Sequence, residues 1–308
     1  MTKGKPMQTT VAGAIKFEGI GVHSGHRTVA TVKPAPVHTG IRFVRSDITD
    51  RNNIIPARYD HVVDARLCTV IANEAGVSLS TIEHLVAALA GVGVLNAVVE
   101  IDGPETPIMD GSAAPFVRGL LDIGVVEQGE AVKAWKIVKP VEVASNGRKA
   151  RLEPCRHFEM SFEIDFDATA IGKQQKSMRL VNGAFIDHLS RARTFGMLSD
   201  VKKLRAAGLA RGGSLENAIV VDGAKVLNRD GLRYSDEFVR HKMLDAVGDL
   251  ALAGAPVIGR YRGVCAGHAI TNLLLRKLFD TPGAAKPMTI AHGTPTLLGV
   301  MSAARAAA

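Results

Sequence analysis

Residues 238–249, Phe-Val-Arg-His-Lys-Met-Leu-Asp-Ala-Val-Gly-Asp, place His241, Asp245 and Asp249 four apart. Met243, Val247 and Leu250 fall at helical spacing, with Leu244 and Ala251 beside them, which predicts an amphipathic helix. Positions four apart on a helix lie one turn above each other. An imidazole and a carboxylate stacked this way can share one divalent cation, as the two histidines of H-E-x-x-H do. Taken alone, the stretch is better explained as a surface His–Asp pair of small energetic weight. A metal centre needs a further ligand from elsewhere in the chain.

Glu83-His84 stands at the head of a second apolar stripe, Leu85, Val86 and Leu89. Ser80-Thr81-Ile82-Glu83 has the form of a capping box, a hydroxyl followed three residues on by a carboxylate. The plain reading makes Glu83 a cap and His84 a surface residue. Combined with His241 and Asp245 on a corresponding helix, however, His84 completes a set of two imidazoles and one carboxylate. That is a catalytic zinc set, with a fourth position left open. Glu83, next to a ligand, is then placed to act as a base. Gly267-His268 falls where a strand feeds a helix, a place from which side chains project into clefts. Residues 190–196, Ser-Arg-Ala-Arg-Thr-Phe-Gly, form a polar cluster between elements. In isolation these two are simply a helix-flanking histidine and a solvated basic turn.

The chain that must position these groups has 308 residues, 46% hydrophobic and 22% charged. This is the composition of a globular enzyme or binding protein with one large or two ordinary domains. Its 38 Lys+Arg against 30 Asp+Glu give a net charge of +8. Such a balance points to an anionic partner: nucleic acid, a phosphorylated small molecule or an acidic membrane surface. Aromatic content is only 5%, with no basic run interleaved with aromatics, which argues against nucleic acid. Cys68, Cys155 and Cys265 are far apart and show no C-x-x-C spacing, so neither a disulfide framework nor a cysteine zinc site is expected. Residues 1–10 hold Lys3 and Lys5 but no apolar core, so no secretory signal is expected. The apolar run 85–95 is interrupted by Gly91 and Gly93 and falls short of the roughly 20 residues that span a bilayer. A cytoplasmic location follows as the expectation.

Periodicity and turn residues predict strands at 11–20, 27–33, 40–45 and 68–72, a helix from 80 to about 90, a strand at 95–101 and a helix at 112–123. Residues 126–134 read as polar and irregular, which sets a boundary between domains 1–130 and 131–308. Beyond it come strands at 135–143, 150–153 and 158–166, helices at 187–193 and 200–207, and a strand at 218–221. The long helix 235–253, a strand at 257–265 and a helix at 269–279 complete the pattern. The tail after Asp280 carries no legible chemistry. Each half runs strands, a helix ending in Ala-Leu-Ala-Gly (88–91 and 251–254), a strand, then a helix. This suggests duplication. The expected fold is α+β, with two domains of similar topology, each a sheet packed against helices on one side. The ligand groove then lies between them.

The chain resembles the UDP-3-O-acyl-N-acetylglucosamine deacetylase family over nearly all of residues 9–280. The resemblance is carried by residues 17–25 (Phe-Glu-Gly-Ile-Gly-Val-His-Ser-Gly), 81–85 (Thr-Ile-Glu-His-Leu) and 107–112 (Pro-Ile-Met-Asp-Gly-Ser). Blocks 190–196, 241–249 and 267–269 (Gly-His-Ala) continue it. The family is a zinc amidase acting on acylated UDP-N-acetylglucosamine, releasing acetate and committing Gram-negative bacteria to lipid A synthesis. The resemblance implies two similar domains with the metal at their interface. It makes His84, His241 and Asp245 the zinc ligands, and Fe²⁺ fits the same set. Glu83 becomes the general base and His268 the general acid, held by Asp249. Lys242 and Thr194 line the reacting centre, and Phe195 sits against the sugar. The family often has a lysine two or three residues before the Gly-His pair, where this chain has Val264-Cys265-Ala266. Either a basic contact to the diphosphate is missing there, or Arg260 or Arg262 supplies it.

An acyl chain needs an apolar trough, for which Met197, Leu198, Leu209 and Leu215 are the candidates, with core packing the simpler use of those four. The expected partner is this small-molecule substrate, without nucleic acid or a transmembrane segment, and the protein is expected to be a monomer. A zinc amidohydrolase acting on another acylated amine would keep the metal and Glu83 but need no trough. A basic nucleic-acid-binding protein would keep the His/Asp cluster as a structural feature only.

Overall fold

The computed structural model describes residues 5–291. In the first half a five-stranded sheet is ordered Ile15–Ile20, Arg27–Pro34, Ala97–Ile101, Ile41–Arg45, Ile54–Pro56. All its pairs are antiparallel except Ala97–Ile101 with Ile41–Arg45, which is parallel. The alternation of Arg27–Pro34 sends Thr28, Ala30 and Val32 inward, as period-2 side-chain placement requires. Helices α1 (Glu83–Val92) and α2 (Ala114–Ile123) pack on each other, and α2 meets the sheet through Phe116, whose ring lies edge-on to Phe17 at 5.0 Å.

In the second half a sheet is ordered Val141–Ser145, Arg148–Glu153, Arg260–Val264, Glu159–Asp165, Lys173–Arg179. Again the only parallel pair joins the third and fourth strands of that order. Two short helices, α3 (Ala184–His188) and α4 (Leu198–Ala206), precede α5 (Glu237–Ala251) and α6 (His268–Asp280). Strand Phe195–Met197, α4 and strands Ile219–Asp222 and Lys225–Val226 form a small unit of their own.

The two halves meet along α1 and α5. Both helices are buried almost all round, so one continuous core runs from Phe17 and Phe43 through Leu85 and Leu89 to Met243, Leu244, Phe162 and Leu274. A glycine inside a helix costs about 1 kcal/mol against alanine and signals a packing need. Gly248 of α5 shows that need: a Cβ there would stand 2.2 Å from the carbonyl oxygen of Glu83. The bare backbone lets the first turn of α1 lie directly on α5.

The expected elements recur in order, with short strands between them that were not expected (Ile54–Pro56, Val62–Asp64, Ser78–Leu79, Phe195–Met197 and Lys225–Val226), and the other departures have physical causes. The expected strand 11–20 is two, Met7–Val11 and Ile15–Ile20, and 135–143 is likewise split into Lys133–Ile137 and Val141–Ser145 around Pro140, which cannot donate to a ladder. Residues 126–134 are not irregular. Val125–Ala131 pairs antiparallel with Met7–Val11, but its mostly exposed side chains give no apolar period. Strand Lys173–Arg179 escaped notice for the same reason, being a polar edge strand. The helix expected at 187–193 ends at His188, and the tail after Asp280 contributes strand Ala285–Thr289. Residues 292–308 of that tail, and residues 1–4, lie outside the described residues.

Candidate metal centre

Glu83 and His84 form the first turn of α1. The capping box expected there does not form. α1 begins at Glu83 with Ile82 as its N-cap, so Ser80, the hydroxyl of the expected box, stands two residues before the cap; Thr81 has φ 59° and its hydroxyl donates to Glu105 Oε1 at 2.8 Å. Glu105 is itself buried and accepts from the backbone N–H groups of His23 and Ser24 at 3.0 and 2.7 Å. The loop at 21–25 therefore clamps the turn that aims Glu83, which gives the block at residues 17–25 a physical purpose.

His84, His241 and Asp245 converge: one ligand atom from each lies within 4.8 Å of the others, and all three residues are buried. Both imidazole Nε2 atoms face Asp245 Oδ1, His241 at 3.2 Å and His84 at 3.6 Å. His241 Nδ1–H donates to the carbonyl of Ala192 at 3.2 Å, which leaves Nε2 as the free lone pair. Burial pushes the His241 pKa down to about 3, so the ring is neutral. Burial works against the Asp245 carboxylate, but the Lys242 ammonium beside it holds its pKa well below the usual range. Lys242 Nζ donates to Asp245 Oδ2 at 2.7 Å, while Asp245 Oδ1 has no hydrogen-bond partner. A neutral His241 imidazole beside an ionised carboxylate with an orphaned oxygen is the protonation state that zinc requires. The donor set fits the metal.

Two proton-carrying groups border the triad. Glu83 is 4% exposed, and its burial raises the carboxyl pKa. His268, the first residue of α6, has Nδ1 at 2.9 Å from Asp249 Oδ2 and Nε2 at 3.7 Å from Glu83 Oε1 and 3.9 Å from Asp245 Oδ2. Burial alone would lower its pKa, but the charges of Asp249 and Glu83 carry it up to about 9.

Of the remaining expected residues, Thr194 is half-buried, with its N–H bonded to Gly111 O at 2.8 Å and its carbonyl to Ile219 N at 2.8 Å. Phe195 packs edge-on against Phe238 at 5.0 Å and against the His241 ring at 6.1 Å. Met197 packs against the core, Leu198 and Leu209 are half-buried, and Leu215 is 49% exposed. Arg260 and Arg262 are engaged elsewhere, which favours the alternative that the basic contact is missing. They share a sheet face opposite Tyr261, which faces α6, and they pair with Glu159 and Glu153. They point away from the helices that carry the triad.

Sequence reasoning missed three supports. Glu237 is fully buried and accepts from Arg193 N and Nε at 3.0 and 2.9 Å, fixing the segment that carries Thr194. Asp110 of the first half pairs with Arg233 of the second at 2.8 Å. Thr69 donates through its N–H to Glu83 Oε2 at 3.1 Å and through its hydroxyl to Asp249 Oδ1 at 2.7 Å. Gly248 alone left a readable signal, as a glycine inside a helical pattern.

Comparison with known proteins gives concordant matches. The family model described as UDP-3-O-acyl N-acetylglycosamine deacetylase matches residues 8–280. The chain is similar to the UDP-3-O-acyl-N-acetylglucosamine deacetylase of Phenylobacterium zucineum, with 51% identity over 92% of this chain and 97% of that protein. It is also similar to the protein of the same name in Shewanella halifaxensis, with 50% identity over 88% of this chain and 89% of that protein.

Proposed function

The chain belongs to the UDP-3-O-acyl-N-acetylglucosamine deacetylase family, and we infer that it hydrolyses the N-acetyl group of UDP-3-O-acyl-N-acetylglucosamine. The reaction is zinc-dependent, releases acetate and serves lipid A biosynthesis. The observation that carries this reading is the buried triad of His84, His241 and Asp245 beside Glu83 and His268.

An amide is a poor electrophile and water a poor nucleophile at neutral pH. Zinc bound at the triad supplies Lewis acidity that polarises the acetyl carbonyl and activates water near neutral pH. Glu83 is the base: its raised pKa makes it a better proton acceptor than an exposed carboxylate, and its Oε1 is turned towards His268 at 3.7 Å. The departing amine must be protonated, and His268 is the donor. Asp249 holds its Nδ1, so the other ring nitrogen directs its proton into the space shared with Glu83 and Asp245. Lys242 keeps Asp245 ionised and brings positive charge to the reacting centre. The Thr194 hydroxyl stabilises the developing oxyanion, and Phe195 supports the sugar.

The finer reading of the substrate rests on the small unit at 195–226. Met197, Leu198, Leu209 and Leu215 form the acyl trough. Support comes from their half-buried or exposed side chains within that unit, where Met197 ends the strand that begins at Phe195 and Leu198 opens α4, a helix that buries none of its residues. For the domains we propose 1–130 and 131–308, duplicated from one ancestor, with the active site where α1 meets α5. Supporting this are the like order and pairing of the two sheets and the attachment of Val125–Ala131 to the first half. Among the described residues, no helix is long and apolar enough to cross a membrane. We read the protein as a cytoplasmic monomer; its three free thiols fit a reducing compartment. The test is acetate release from UDP-3-O-acyl-N-acetylglucosamine and from its non-acylated counterpart. Efficient release from the acylated compound is expected, and equal efficiency on both would point to a general zinc amidohydrolase.

A further inference from the structure

Thr69 is buried at 2% exposure and spends each of its polar groups on the catalytic elements. Its N–H donates to Glu83 Oε2 at 3.1 Å, its hydroxyl donates to Asp249 Oδ1 at 2.7 Å, and its carbonyl accepts from Ile82 N at 3.5 Å. The consequence lies in which oxygens remain. With Oε2 anchored, Glu83 presents Oε1 towards His268. With Oδ1 taken by Thr69, Asp249 has Oδ2 for His268 Nδ1 at 2.9 Å. A carboxylate bonded through both oxygens cannot rotate, so it fixes the plane of the imidazole as well as its position. Glu83 comes from α1 in the first half, whereas Asp249 and His268 come from the second. Thr69 is the residue that bonds to both.

We propose that Thr69 is a positioning residue that sets the base and the acid at their working separation by bonding both carboxylates, Glu83 and Asp249. This rests on the roles given above to Glu83 and His268. The proton donor works only if its ring points at the leaving nitrogen, and freeing Asp249 Oδ1 lets carboxylate and ring turn together. The hydroxyl does not touch substrate, so its loss acts on the chemical step and leaves binding in place.

The experiment measures kcat, KM, zinc content and melting temperature for Thr69→Val, Thr69→Ala and Thr69→Ser. In Thr69→Val and Thr69→Ala, kcat should fall about tenfold, the scale of one hydrogen bond to a charged group, with KM changed less than about twofold. Zinc content should stay at the parent level, and Thr69→Ser, which keeps the hydroxyl, should recover most of kcat. In a His268→Ala background, where no ring is left to aim, Thr69→Val should cost less than about twofold further. Unchanged kcat in Thr69→Val and Thr69→Ala overturns the inference. So does an equal loss in the presence and absence of His268, which would mark a general packing defect. Glu83→Gln and His268→Ala, assayed alongside, separate the two levels of the argument. If neither loses activity, the underlying roles fail; if both do and Thr69→Val does not, only the role of Thr69 fails.

Discussion

Asp249→Asn removes the carboxylate at 2.9 Å from His268 Nδ1 while keeping its shape, so it tests what raises the pKa of that ring. Burial opposes the imidazolium, and the charges of Asp249 and Glu83 overcome it, taking the pKa to about 9. At an effective dielectric of about 20, unit charges about 4 Å apart attract by roughly 4 kcal/mol. A hydrogen bond to a charged group is worth about 1.5–3 kcal/mol. At 1.36 kcal/mol per pH unit, the lower figure corresponds to a shift of about one unit and the higher to about two. The rate should be bell-shaped in pH, falling on the acid side as Glu83 takes a proton and on the basic side as His268 loses one. A bound dication lowers both pKa values, so each limb of the zinc enzyme lies below the pKa its group has without the metal. In Asp249→Asn the basic limb should move down by one to two units and the acid limb much less, with zinc retained. The assay is acetate release across about pH 5 to 10, read as kcat and kcat/KM, with metal content measured on the same samples. A basic limb that stays in place would remove Asp249 from the role of holding His268 protonated.

Removing the acyl chain from the substrate should cost heavily in kcat/KM, at about 0.8 kcal/mol per buried methylene; steady-state kinetics on substrates of graded chain length measures the slope. Replacing Leu198 and Leu209 by serine should flatten that slope if these residues line the trough. Glu237→Ala leaves buried Arg193 without its partner and should destabilise the protein by about 3–5 kcal/mol. Thermal denaturation should show this as a melting point lower by roughly 10 °C, at about 2–4 °C per kcal/mol for a chain of this size class.

The metal triad was legible because two of its ligands sit four apart on one helix, a spacing that survives in the linear chain. His84 was reachable only by pairing its helix with the corresponding one in the other half. The capping-box form at Ser80–Glu83 misled, because α1 starts at Glu83 itself, which leaves Ser80 outside the cap position, and the Glu83 carboxylate turns to Thr69. Nothing in the sequence betrays Thr69: its partner Asp249 is 180 residues away, and a buried threonine has no pattern. Strands Val125–Ala131 and Lys173–Arg179 were unreadable or misread because backbone pairing holds them without an apolar period. The choice between a missing basic contact and one from Arg260 or Arg262 turned on facing: strand alternation sends both to the face opposite Tyr261, away from α6.

The central claim is a single zinc held by His84, His241 and Asp245 and required for deacetylation. Its most direct test is to strip the purified protein with a chelator and titrate zinc back while following acetate release. The rate should climb in proportion to added zinc and level off at one ion per chain, and His241→Ala should neither hold the ion nor recover activity. Full activity in the stripped protein, or in His241→Ala, would contradict the account.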